Sequence, residues 1–269
     1  MPENSHPIDV VLLAGDRPSG DPLANALGAQ YKALVPVAGK AMLRHVLDRL
    51  LASPLVATIH ILGQNPAALL GHDDLADLAG HPRIMAHMSK GNISESVSAL
   101  LDEAQLGEAL VTTADNVLLT EAMIRHFLTI RQKVPNVDLA IALVERETLL
   151  AAYPEAKRTW LKTRGGAWSG ANLILLRRSD GMDRLLHFWR DIEQNRKRGW
   201  KLMSAFGPLL LIGAFCRIIT MQRGLKIAGG RFGLIARLVD MPQAEACIDV
   251  DKPSDLALAE RIIAARQSA

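Results

Sequence analysis

Apart from Asp9, every residue from position 8 to 14 is apolar and the run stops at Gly15, the pattern of a short buried strand. Residues 55–62, 83–88, 109–113 and 137–144 read as further strands. Between them apolar positions recur every three or four residues, which predicts helices over 41–52, 66–79, 93–104 and 120–132. Strands that alternate with helices call for right-handed crossovers. The expected fold is therefore α/β, a doubly wound, mostly parallel sheet between two helical layers. In such a sheet the ligand lies beyond the carboxyl ends of the strands, so the loops that follow strands are the first places to look for chemistry.

After residue 144 the rhythm loosens. A strand pair is expected at 159–163 and 168–176, then an amphipathic helix over 179–196, an uncharged apolar run at 202–216 and a flexible basic turn at 229–233. Residues 246–250 read as a returning strand, and Pro253 and Ser254 open a helix reaching 266. With no linker or repeat the chain reads as one domain. Residues 1–145 would form its regular half, 146–245 an elaboration, and 246–269 a return to the sheet.

Composition narrows the class without naming a partner. At 269 residues, 49% hydrophobic and 22% charged, the chain can bury a sizeable core, which excludes disordered and collagen-like types. A net charge of +3 gives no basis for nucleic-acid binding. Cys216 and Cys247 stand in no metal or disulfide spacing, and residues 1–7 lack the basic and apolar parts of a signal peptide, so a cytoplasmic setting is expected. The run 202–216 is too short for a bilayer and is interrupted by Pro208. Its basic flanks leave two readings, a buried helix or a peripheral contact with anionic lipid. The sequence is silent on oligomeric state.

Five segments carry candidate chemistry. The loop Leu13-Ala14-Gly15-Asp16-Arg17 lets backbone N–H groups approach phosphate, and Arg17 and Lys32 can neutralise it. It matches neither common glycine-rich phosphate motif, and a plain turn also accounts for it. Asp115 ends an apolar strand, where a carboxylate can hold Mg²⁺ together with phosphate oxygens or merely cap a turn. Asp249 and Asp251 alternate along an extended stretch and so share a face. Asp255 suits the first turn of the last helix. The polar loop 89–92, with Gly91, leads into Ser96 and can present amides to a base or simply cap a helix.

The segment Lys32-Ala33-Leu34-Val35-Pro36-Val37-Ala38-Gly39-Lys40-Ala41-Met42-Leu43, following Leu12-Leu13-Ala14-Gly15, resembles the signature of the nucleotidyltransferases of the MobA-like, sugar-phosphate and cytidylyl kind, whose fold is Rossmann-like and of the GT-A type. The resemblance implies that 1–145 is the nucleotide-binding half and 146–245 the acceptor side. It further implies that Leu13, Ala14, Gly15, Lys32 and Lys40 meet the nucleotide, with Lys32 and Arg17 beside the reacting phosphate. The usual second glycine and arginine spacing is missing here, and the loop to Lys32 is long. Residues 112–119 resemble the family's metal-binding segment, which implies Asp115, and residues 248–256 resemble its closing acidic segment, which implies Asp251 with Asp249 as the alternate. Residues 89–97 resemble the base-reading segment of the cytidylyltransferases, implying Gly91 and Ser96 and a lean towards CTP. Gly170 and Asn172 resemble an acceptor-side element. The implied activity is Mg²⁺-dependent transfer of a nucleotide, CMP favoured, from a triphosphate to a phosphorylated acceptor. Its rivals are a glycosyltransferase using a nucleotide sugar and a non-catalytic nucleotide-binding module at a membrane.

Overall fold

The computed structural model describes residues 6–16, 20–194 and 218–268. The first apolar run forms β1 (Ile8–Leu13), paired in parallel with β4 (Val56–Gly63) on one side and β6 (Glu108–Thr113) on the other. Its alternate residues face opposite layers. Ile8, Val10 and Leu12 pack into one buried cluster and Val11 into another, so both faces of the strand are covered; Asp9 is its one charged residue and accepts the Thr58 N–H at 3.1 Å. The long connection that follows β1 contains a short helix, α1 (Pro22–Leu27), capped by the Asp21 carboxylate.

The eight-stranded sheet runs β10 (Ala236–Asp240), β7 (Leu139–Glu145), β9 (Gly166–Arg177), β6, β1, β4 and β5 (Ile84–Met88), with β8 (Leu161–Thr163) paired to the start of β9. Along this order β9 alone is antiparallel to its neighbours. The mixed, mostly parallel sheet expected from the sequence is therefore present. One layer contains α2 (Met42–Ala52), α5 (Glu121–Leu128) and α10 (Pro253–Gln267). The other contains α4 (Ile93–Glu103), α8 (Asp180–Gln194) and α9 (Met221–Arg231). From β1 the chain first steps outward to β4 and β5, then returns to the far side of β1 as β6. The crevice between β1 and β6 is thus the switch point of the sheet.

Several elements differ from their sequence pattern. The helix expected over 66–79 breaks into α3 (Pro66–Leu70) and a 3₁₀ turn at Asp73–Leu78, because His72 turns extended and accepts a hydrogen bond from the Asp74 N–H. The helix expected over 120–132 divides at Thr129, whose hydroxyl donates to the His126 carbonyl and separates α5 from α6 (Ile130–Lys133). Gly229 and Gly230 lie in the last turn of α9 rather than in an open turn. A Cβ on Gly229 would stand 2.4 Å from that of Ala236, so glycine there lets the helix pack on β10.

The returning strand expected at 246–250 is absent from the sheet. Residues Ala244–Cys247 form a 3₁₀ turn and the chain continues extended but unladdered, its alternation produced by burying Ile248 and Val250. The sheet gains β10 at that end instead. Arg17 and the run 202–216 lie outside the described residues. Among the described residues no helix is long and apolar enough to cross a membrane.

Candidate active site

The carboxyl ends of β4, β1 and β6 are tied together, since the Ala14 N–H donates to the Leu62 carbonyl of β4 and the Ala114 N–H, just past β6, to the Leu13 carbonyl of β1. Two loops therefore leave the sheet side by side, one with Gly15 and Asp16, the other with Asp115. Gln64, just beyond β4, clamps the first: its carbonyl accepts the Asp16 N–H and its amide donates to the Asp16 carbonyl, each at 2.8 Å. A Cβ on Gly15 would stand 3.2 Å from that same side-chain amide, so a larger residue fits only if Gln64 moves.

Lys32 enters from a 3₁₀ turn at Lys32–Leu34, followed by a two-residue hairpin joining β2 (Pro36–Val37) to β3 (Lys40–Ala41). Ala38 and Gly39 both take positive φ, as such tight hairpin turns require. Val35, Val37, Ala41, Met42 and Leu43 are fully buried. The apolar letters of the motif thus anchor a rigid ledge from which Lys32 projects, and the Lys32 N–H is fixed in turn by Asp16 Oδ1 at 2.9 Å.

The Lys32 ammonium donates to Asp115 Oδ2 and to Asp251 Oδ1, each at 2.5 Å. Residues from three distant stretches of sequence meet at one nitrogen. Asp115 is steadied by the Thr113 hydroxyl, which donates to its other oxygen, and the backbone carbonyl of Asp115 accepts the Val250 N–H at 3.2 Å. Burial works against the Lys32 charge, but the attraction and hydrogen bonds of Asp115 and Asp251 outweigh it and hold its pKa above the ordinary lysine value. At Asp16 burial dominates over the hydrogen bond from Lys32 and raises the carboxyl pKa.

Asp249 takes other partners. Its carboxylate meets Arg158 Nη1 at 2.5 Å and Asn172 Nδ2 at 3.3 Å. Burial raises its pKa, Arg158 opposes that rise, and the charges of Asp115 and Asp251 add to it. Asn172 reaches Asp249 because β9 bulges against β7 between Ile141 and Leu143, with Asn172 at a left-handed φ of +46°. Gly170, in the same bulge, has open space where a Cβ would be.

Other expected residues sit apart from the aspartates. The exposed Lys40 ammonium lies 3.5 Å from Asp48 of α2. The loop before α4 is closed on itself: Ser96 donates towards the Lys90 and Asn92 carbonyls and accepts the Lys90 N–H, while Asn92 caps the helix. Ser96 therefore shapes this loop, and Gly91 takes a φ of +40° within it. Sequence reasoning passed over Gln64, Thr113 and Arg158. Thr113 was legible as a hydroxyl two residues before Asp115, and Gln64 as a polar residue just past a strand; Arg158 had no local signal.

The donors suit a hard divalent cation. Five aspartates stand against two cations in this region: Asp115 and Asp251 hold the Lys32 ammonium, Asp249 and Asp255 lie against Arg158, and Asp16 accepts the Lys32 backbone N–H. Such an excess of negative charge would repel a triphosphate unless a further cation accompanied it. Among the described residues no three or more His, Cys, Asp or Glu side chains form a metal-binding group by themselves. Mg²⁺ takes one or two carboxylates and completes its shell with phosphate oxygens and water, and Asp115 and Asp251 make a pair of that kind.

Comparison with solved structures gives the same fold. A hypothetical transferase from Thermus thermophilus is 27% identical, with a TM-score of 0.74 over 93% of this chain and 100% of its own. CMP:2-keto-3-deoxy-manno-octonic acid synthetase complexed with CTP aligns at a TM-score of 0.59 and 12% identity, over 96% of this chain and 99% of its own. The 4-diphosphocytidyl-2C-methyl-D-erythritol synthase of Anaerococcus prevotii aligns at 0.58 and 10%, over 97% of both chains. No curated protein matched the chain. Residues 10–181, well over half of the chain and the part that holds Gly15, Lys32, Asp115 and Asn172, match the MobA-like NTP transferase domain, and the chain belongs to that family.

Proposed function

We propose that the protein, a nucleotidyltransferase, moves CMP from CTP to a phosphorylated acceptor and releases pyrophosphate, in a single domain whose first half holds the nucleotide and whose later half meets the acceptor. The observation that carries this reading is the Asp115–Lys32–Asp251 cluster at the switch point of the sheet. An oxygen of the acceptor phosphate attacks the α-phosphorus, and the bond from that phosphorus to the pyrophosphate oxygen breaks. The acceptor phosphate is already ionised, so no side chain has to remove a proton. Alignment and charge compensation suffice.

Asp115 and Asp251 would hold Mg²⁺, which supplies charge neutralisation at the triphosphate when bound. Lys32 then turns part of its charge from the carboxylates to the α-phosphate and the departing pyrophosphate. Leu13, Ala14 and Gly15 offer backbone close to the phosphates, and Arg17 and the exposed Lys40 add charge. Gly91 and the amides of the loop before α4 read the base. The resemblance of this loop to that of the cytidylyltransferases, and the CTP held by one structural neighbour, support cytidine. Gly170 and Asn172 face the acceptor.

Thermal shift with CTP, GTP, UTP and ATP, each with Mg²⁺, tests the reading, because a ligand that binds the folded state raises its stability by mass action. CTP should give the largest shift, and pyrophosphate should appear when an acceptor phosphate is supplied. An equal response to all four triphosphates would remove the base preference. No response to any would remove the nucleotide site.

A further inference from the structure

Residues 248–252 carry Asp251 yet belong to no ladder of the sheet, so something other than strand pairing must fix that carboxylate. Val250 contributes one backbone bond to Asp115. Lys32 holds the Asp251 carboxylate itself, and a further hold on the surrounding backbone comes from Arg158, which lies in the irregular stretch between α7 (Arg146–Ala152) and β8 and has a side chain only 8% exposed. Its Nη1 binds the Asp249 carboxylate, its Nη2 donates to the Asp249 carbonyl at 3.0 Å, and Nη2 also lies 3.7 Å from Asp255 Oδ1. The other oxygen of Asp255 accepts the Asp251 N–H at 3.4 Å. One guanidinium therefore grips the chain two residues before Asp251 and four residues after it. It does so at a cost, since its Nε–H is one of two buried side-chain polar atoms without a hydrogen-bond partner among the described residues.

We propose that Arg158 is a positioning residue that holds Asp251 at the metal and Lys32, acting through Asp249 and Asp255 without touching the nucleotide. This rests on the proposed metal site. A planar fork can span a carboxylate, a carbonyl and a second acid together, whereas a lysine ammonium is a point charge on a flexible stem and cannot. Arg158→Lys thus keeps the cation and removes the grip. Loss of an outer partner of a metal ligand weakens metal affinity about 10–100-fold.

The test measures Mn²⁺ binding to the full chain in the presence of CTP, by loss of the free-ion electron paramagnetic resonance signal, alongside the melting temperature. Arg158→Lys should raise the Mn²⁺ dissociation constant about tenfold or more while a cooperative melt is retained. Added to Asp251→Asn it should cause no further loss, because both act at one carboxylate. Arg158→Gln, which also removes the charge, should weaken Mn²⁺ at least as much. Unchanged affinity in Arg158→Lys, or a loss that adds in full to that of Asp251→Asn, overturns the positioning role. If Asp115→Asn and Asp251→Asn themselves bind Mn²⁺ like the unaltered protein, the metal site fails first, and the role of Arg158 fails with it.

Discussion

Replacing Lys32 by Met keeps the buried stem and removes one charge, which separates two effects that a single ammonium combines. In the folded protein the Lys32 side chain is 15% exposed and its ammonium contacts two carboxylates at 2.5 Å. Removing one partner of a fully buried pair costs about 3–5 kcal/mol, mostly through the charge left behind. Asp251 is 47% exposed and water compensates part of its charge, so a loss of about 1–3 kcal/mol is expected. In a chain of this size that lowers the melting temperature by about 2–4 °C per kcal/mol. Two carboxylates without their shared cation attract Mg²⁺ more strongly, so the deficit should shrink as Mg²⁺ is added. A domain with stability of about 5–15 kcal/mol stays folded through such a loss, so kcat reports chemistry rather than unfolding. Loss of one preorganised charge facing the transition state costs about 2.7–4 kcal/mol, or a fall of about 10²–10³-fold in kcat with a smaller change in KM. Pyrophosphate release from CTP at saturating acceptor measures it. A rise in KM at unchanged kcat would place Lys32 in ground-state binding alone, and a melting deficit indifferent to Mg²⁺ would refute the shared-cation argument.

Two predictions concern stability away from the site. His60 on β4 is buried, and its Nδ1 stands 3.0 Å from His87 Nε2 on β5. Burial lowers both pKa values below the ordinary 6.5; the charge of His87 lowers His60 further, while Asp9 and Glu103 oppose the shifts at His60 and His87 respectively. The folded state therefore binds fewer protons than the unfolded chain. Stability should be full above about pH 6.5 and decline as acid is added, by at most about 1.4 kcal/mol per pH unit per group. Denaturant midpoints between about pH 7.5 and 5 should show this slope, and His87→Gln should flatten it; an identical slope in the variant would assign the effect elsewhere. Gly229→Ala places a methyl 2.4 Å from the Ala236 Cβ and should lower stability by about 1–3 kcal/mol through overpacking; an unchanged melting temperature would show that α9 moves freely on β10.

Elements buried on both faces were legible in the sequence because their pattern needs no knowledge of neighbours, as with β1, β4 and β6. Errors arose where a single polar contact decided the backbone: His72 capping the turn after α3, and Thr129 dividing α5 from α6. The segment 246–250 misled for a different reason. Alternation of Ile248 and Val250 with two acids is what an edge strand would show, yet here it records an acidic bridge with apolar residues beneath. The same logic separates the site residues. Lys32, Asp115 and Asp251 each stand in a local motif, and the structure brings the three side chains together. What no motif contains is their reach: Lys32 lies 83 positions from Asp115 and 219 from Asp251. Arg158 carries this furthest, since it is 91 positions from Asp249 and follows no recognisable pattern. This bridge of acids is held by neutral donors and by a cation, and the residue that supplies that cation is constrained by geometry rather than by its neighbours in sequence. Buried arginines with more than one acidic contact are therefore where this fold has room to place function that a motif does not record.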